Sequence, residues 1–256
     1  MREHAGYPRV QTMTEPESAT PPPAKGGSRP APIDSFIRSG GLLLILAAVT
    51  AAGLYLQSAS HPGSSVAGEN ETAPPLFVVY AAALISEWAL FYYCWAGMHA
   101  RRVKLAEVMG PAWGSWRRAA GNILIAAAFW AVWEGVAWVA TLALGANHAK
   151  SISVLVPRSP FEYGLWIAVA VSAGICEEFV FRGYLQRQLC ALTGSATAAV
   201  AGQALIFGVS HGYQGIHNMI LISILGLLYG SLAQWRRNLR PGILAHVWSD
   251  IFAMLR

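Results

Sequence analysis

Seven largely apolar stretches, at about 39–57, 76–99, 121–145, 162–192, 195–211, 216–235 and 241–255, fix what this chain can become. Runs near 20 residues are long enough to cross the roughly 30 Å hydrocarbon core of a bilayer as α-helices. Inside lipid every backbone N–H and C=O must be satisfied within its own segment, so such runs demand helices. The composition agrees: 55% of the 256 residues are hydrophobic and only 12% are charged, about half the charge of a soluble domain. The expected fold is therefore all-α, a polytopic membrane helical bundle of about 7–8 transmembrane helices. The fourth run is too long to be only a span, the last is short for one, and an eighth partial element falls near Ser151–Val156.

Residues 1–34 contain TEPESAT and PPPAKGGSRPAP and few large apolar side chains. They read as a disordered cytoplasmic tail, leaving 35–256 as the membrane-embedded domain. With the amino terminus in the cytoplasm and the helices alternating, fifteen of the eighteen Lys and Arg residues fall on the inner side. Only Lys150, Arg158 and Arg256 fall outside, and the loop 58–75 carries no basic residue. The excess of Arg over Lys and the abundant Ala point to a high-GC genome, so a bacterial plasma membrane is the expected location. Basic residues are not interleaved with exposed aromatics, so nucleic acid is not an expected partner. Cys94, Cys176 and Cys190 lie in or beside apolar runs without CxxC or zinc spacing and read as free thiols.

Ionisable groups inside apolar runs are functional-site candidates by default, because each costs at least a few kcal/mol in lipid. Three such groups stand out: Glu177-Glu178 with Arg182, Phe207 with His211, and His246 with Asp250. In each, two side chains stand at i and i+4 on one helical face. Counting about 16 residues from Glu177 to the turn at Thr193-Gly194, and about 16 back to His211, places Glu177 and His211 at similar depth across a helical hairpin. The small residues Ala198, Ala201, Gly202, Ala204 and Gly208 would allow close approach. Because consecutive α-helical residues point about 100° apart, only one of the two glutamates is expected to face a shared cavity.

Two carboxylates and two imidazoles in a dry cavity suit water activation and hydrolysis. The same side chains are also good ligands for zinc or another divalent metal, although HExxH is absent, so a metal-dependent membrane protease stays open beside a cofactor-free one. Glu87 and Glu134 sit near the centres of their runs and have no task in a hydrolase. Paired intramembrane carboxylates also occur in proton-coupled transport, which keeps a transporter or interaction protein as the alternative class.

Taken together, Glu177-Glu178-x-x-x-Arg182, Phe207-x-x-x-His211 and His246-x-x-x-Asp250 closely resemble the CPBP family, the CAAX prenyl endopeptidase and Abi-type intramembrane glutamate proteases. The resemblance spans roughly 160–255. It implies an intramembrane endopeptidase without a catalytic metal, acting on a membrane-anchored protein or peptide. Glu177 would be the general base and His211 its partner, with Glu178 and Arg182 in support and His246 with Asp250 at the oxyanion site. An ionised Asp cannot donate to an oxyanion, so Asp250 either carries a proton or orients His246 as an acceptor, the second being favoured. Neither the substrate, prenylated or not, nor the oligomeric state is legible.

Overall fold

The structure, a computed structural model, describes residues 30–59, 75–144 and 155–253, and among these it contains helices and no strand. Residues 1–29 of the expected tail, and 151–154 of the expected eighth element, lie outside the described residues. In chain order the helices are α1 (Phe36–Ala59), α2 (Leu76–Ala100), α3 (Leu105–Met109), α4 (Trp116–Leu144) and α5 (Pro160–Glu177). A π-helical segment, Glu178–Leu185, continues α5 into α6 (Gln186–Thr193). Then follow α7 (Ala196–Ser210), a single 3-10 turn (Gly212–Gln214), α8 (Ile216–Arg236) and α9 (Arg240–Ala253).

Five segments are long and apolar enough to cross a membrane: Phe36–Tyr55, Leu76–Ala100, Trp116–Ala143, the continuous 34-residue Pro160–Thr193, and Ile216–Arg236. With 15 and 14 residues, α7 and α9 are shorter than a span. The outward faces carry large apolar side chains, among them Leu44, Ile85, Leu124 and Leu142. Arg182, Glu178, Gln188 and Gln203 are buried. This arrangement fits lipid as the solvent, since an aqueous surface rarely exposes a contiguous apolar band of such extent.

The starts of α5 and α7 and the end of α6 have local causes. Ser159 caps α5 by accepting from the Glu162 N–H at 3.3 Å, with Pro160 at the first helical position. Ser195 caps α7 in the same way, accepting from Ala198 N–H at 3.2 Å, and Gly194 supplies the left-handed φ of 71° that ends α6. The turn Thr193–Ser195 therefore reverses the chain sharply and lays α7 back along α6 and the π segment.

Small residues set the spacing of the bundle. A Cβ on Gly226 would lie 2.9 Å from Ala204 Cα, and one on Gly208 would collide with Ser223 Oγ, so α7 and α8 touch backbone to backbone. Ala204 and Gly208 thus serve the α7–α8 contact rather than the hairpin expected from sequence. Of the five small residues Gly202 alone packs on α6, against Leu189, while Ala198 and Ala201 are exposed. On the other side, a Cβ on Gly174 would meet Val247 Cγ2 at 2.6 Å and the Ile243 carbonyl at 3.1 Å, which brings α9 hard against α5.

Part of the segment assigned to the tail is docked. Ile33 and Asp34 N–H groups both donate to Gln188 Oε1, at 2.8 and 3.2 Å, and Gln188 Nε2 returns a bond to the Asp34 carbonyl at 3.1 Å. The Tyr184 hydroxyl donates to Asp34 Oδ2 at 2.8 Å, tying this segment to the π-helical turn.

Replacing Gly208 by Val would force α8 away from α7, and overpacking of this kind costs about 1–3 kcal/mol. Thermal unfolding in detergent should show a lower midpoint for Gly208→Val and an unchanged one for Ala201→Val on the exposed face.

Candidate active site

The sequence places Glu177, Glu178 and Arg182 together, but the backbone beneath them is not an ordinary α-helix. From Glu178 to Leu185 it is π-helical, a geometry with i→i+5 hydrogen bonds that recurs at functional sites. All eight residues of this turn are buried. Arg182 Nη1 lies 3.0 Å from Glu178 Oε1, with side-chain exposures of 0% and 1%, so neither charge has water as a fallback. The contact meets the distance for an ion pair but not the direction of a hydrogen bond. The guanidinium is instead held between aromatic faces, 4.2 Å from the Phe207 ring centre and 5.0 Å from that of Tyr229.

Two histidines complete the cluster, and each is tethered by Nδ1. In His211, Nδ1 is 2.9 Å from the Phe207 carbonyl oxygen four residues back. A carbonyl can only accept, so the proton sits on Nδ1 and Nε2 turns toward Glu177 Oε1, 4.0 Å away. In His246, Nδ1 lies 3.1 Å from Glu178 Oε1, and with the carboxylate as acceptor Nδ1 again carries the proton. Its Nε2 then lies 3.5 Å from Glu177 Oε2 and 3.7 Å from Asp250 Oδ2. Tyr229 stacks on the imidazole at 5.2 Å and 18°, fixing the ring plane. The two Nε2 atoms thus address the two oxygens of one carboxylate, Glu177.

The structure brings together all six residues selected from sequence: Glu177, Glu178, Arg182, His211, His246 and Asp250. Two details differ from the reading above. Both glutamates reach the cluster, one on each edge of the His246 ring, because the segment leaves α-helical geometry at Glu178. Glu178, through Nδ1, also takes the role of orienting acceptor for His246 that was expected of Asp250, while Asp250 faces Nε2 beside Glu177. Tyr229 was missed altogether, because a tyrosine in an apolar run carries no signal until its neighbours in space are known.

The site is graded in accessibility. Glu178 and Arg182 are sealed, whereas the side chains of Glu177, His211 and Asp250 retain 21%, 17% and 28% exposure. A separate cavity of about 410 Å³ shares Arg182 as a wall and is bounded by Ile33, Glu107, Gln186, Arg187 and Asn238; Glu177, His211, His246 and Asp250 do not line it. Among the described residues, no group of three or more His, Cys, Asp and Glu side chains is arranged to hold a metal ion. Glu134 lies on α4, and Glu87 on α2.

An apolar helical bundle that turns two imidazoles onto a half-accessible carboxylate, over a buried ion pair, brings together the groups that activation of water requires. Residues 159–252, which contain the whole cluster, match the family model described as Rce1-like, type II CAAX prenyl endopeptidase Rce1-like. This segment, a little over a third of the chain, matches the CPBP/CAAX protease family, and five segments of the described residues are long and apolar enough to cross a membrane. No curated protein and no solved structure gives a significant match to the chain.

Removing one partner of a buried ion pair typically costs 3–5 kcal/mol, because the other charge is left uncompensated, whereas replacing both by apolar groups is often neutral. Arg182→Leu should therefore lower the unfolding midpoint strongly. Glu178→Leu/Arg182→Leu should recover much of the loss, which a double-mutant cycle of thermal melts would measure.

Proposed function

We propose that the protein is an intramembrane endopeptidase that hydrolyses a peptide bond of a membrane-anchored protein or peptide with water activated by Glu177. The observation that carries this reading is the pairing of His211 Nε2 and His246 Nε2 with the two oxygens of Glu177, at 4.0 and 3.5 Å. Separations of that size suit a shared water or substrate oxygen better than direct hydrogen bonds.

In this mechanism a water between Glu177 Oε1 and His211 Nε2 attacks the scissile carbonyl while Glu177 takes its proton. The carbonyl oxygen becomes an oxyanion, which His246 stabilises from Nε2 while Glu178 holds Nδ1–H. Both interactions together require the imidazolium form, and Glu177, Glu178 and Asp250 around the ring supply the compensating negative charge. Collapse of the tetrahedral intermediate breaks the C–N bond, and the proton on Glu177 passes to the departing amine. Glu178 and Arg182 position the second imidazole rather than touch substrate. No cofactor takes part in this scheme, and a divalent metal on the same side chains is its competitor.

The family description and the lipid-facing bundle support a substrate tethered to the membrane. The excess of basic residues on one side supports a cytoplasmic amino terminus, and the excess of Arg over Lys with abundant Ala supports a bacterial plasma membrane. A fluorescence-quenched peptide with an S-farnesyl cysteine four residues from its carboxyl end, beside an N-acylated peptide of the same sequence, gives an assay for detergent-purified protein. Positioned acid–base groups contribute about 10²–10⁴-fold, so Glu177→Gln and His211→Ala should each lower kcat by that order with unfolding midpoints preserved. Variants that cleave like the unaltered protein would remove these residues from the chemistry.

A further inference from the structure

Glu87 has no part in this mechanism, yet it does not face lipid. On α2 Glu87 falls within a stripe of buried and half-buried residues, Tyr80, Leu84, Glu87, Phe91, Cys94 and Met98, with 3–4 spacing, whereas Ile85 and Tyr92 are 71% and 58% exposed. The stripe packs on α5. Tyr80 meets Trp166 at 5.8 Å, Trp88 Nε1 donates to Ser172 Oγ at 3.1 Å, and Phe91 lies 4.3 Å from Phe179. Both chains advance together along these contacts, so α2 and α5 run parallel. Glu87, one residue before Trp88, therefore stands level with α5 near Ser172, about a turn and a half before Glu177.

Electrostatics places Glu87 in the same neighbourhood. It feels the charges of Glu177, Asp250 and His246, and it acts in turn on Cys176 and Tyr213. Its Oε2 is buried and has no hydrogen-bond partner among the described residues. A buried polar atom without a partner is expensive, and a partner delivered by a ligand resolves it. A peptide drawn into a cavity at lipid depth has the matching need, since its main-chain N–H groups lose water and find no other acceptor.

From these observations we infer that Glu87 is a substrate-binding residue whose Oε2 accepts a hydrogen bond from a main-chain N–H of the peptide near the scissile bond. The inference rests on the protease reading of the site and adds a second polar wall, α2, to the three motif helices. Glu87 takes no proton in the reaction; it fixes the register of the extended peptide over Glu177.

The test is steady-state cleavage of the farnesylated quenched peptide, with each main-chain N–H near the scissile bond replaced in turn by N–CH₃. One methylation should raise KM for the unaltered protein by about threefold to tenfold, the range of one hydrogen bond between uncharged groups. Glu87→Leu should raise KM by a similar factor with kcat within about threefold, and should be indifferent to that methylation. Glu87→Gln, which keeps an acceptor oxygen of the same shape, should stay close to the unaltered KM. Unchanged KM in Glu87→Leu, a fall in kcat alone, or a methylation penalty that persists in Glu87→Leu would overturn the inference. In all three cases cleavage that still depends on Glu177 leaves the protease reading intact, whereas cleavage independent of Glu177 overturns that reading first. The methylation scan on the unaltered protein decides the matter even where Glu87→Leu fails to fold, since a scan without a single sensitive N–H contradicts the inference.

Discussion

Ionisable side chains carried into the interior of an apolar bundle have to satisfy one another, because neither lipid nor aliphatic neighbours can. In this protein the requirement falls first on Glu178. Its carboxylate is sealed from solvent and answers to two partners, Arg182 at 3.0 Å and His246 Nδ1 at 3.1 Å, contributed by its own turn and by α9. That double attachment fixes His246 relative to the long α5–α6 segment. Nε2 is consequently aimed at Glu177, which is the only glutamate of the pair left half-open.

Much of the surrounding architecture serves this one arrangement. Gly174 lets α9 approach α5 closely enough for His246 to reach Glu178, and Gly242, one turn before His246, faces the same carboxylate. The rings of Phe207 and Tyr229 hold the guanidinium from α7 and α8, and Phe207 also supplies the carbonyl that tethers His211. The phenylalanine of the Phe207-x-x-x-His211 motif thus has two physical tasks, one through its ring and one through its backbone. At the far end of the π turn, Tyr184 and Gln188 bind the segment at Asp34, so the chain entering α1 braces the same turn that carries the glutamates.

The helices were legible because lipid leaves a chain little choice. Each of the seven apolar runs became helical, with ends displaced by only a few residues. The six residues of the candidate cluster stood out for the same reason, since charge in an apolar run is conspicuous. The parts that sequence did not reveal depend on contacts distant along the chain. The short helix α3 has no long apolar run, and it is held by Arg187 Nη2 donating to the Glu107 and Val108 carbonyls, at 3.0 and 3.3 Å. The π turn has no sequence signature, so a rule of 100° per residue wrongly separated Glu177 from Glu178. Asp34 sits in a Pro-rich, polar context that reads as tail, and Tyr184 and Gln188, 150 and 154 residues later, give it a place.

The central claim is that hydrolysis here proceeds on carboxylate and imidazole groups alone, with Glu177 as the base. The most direct measurement is the initial rate of peptide cleavage by detergent-purified protein, dialysed exhaustively against a strong chelator and compared with an untreated sample. The account predicts equal rates. A rate that falls to background on chelation and returns on addition of zinc would contradict it, and would turn the same side chains into the ligands of a metalloprotease.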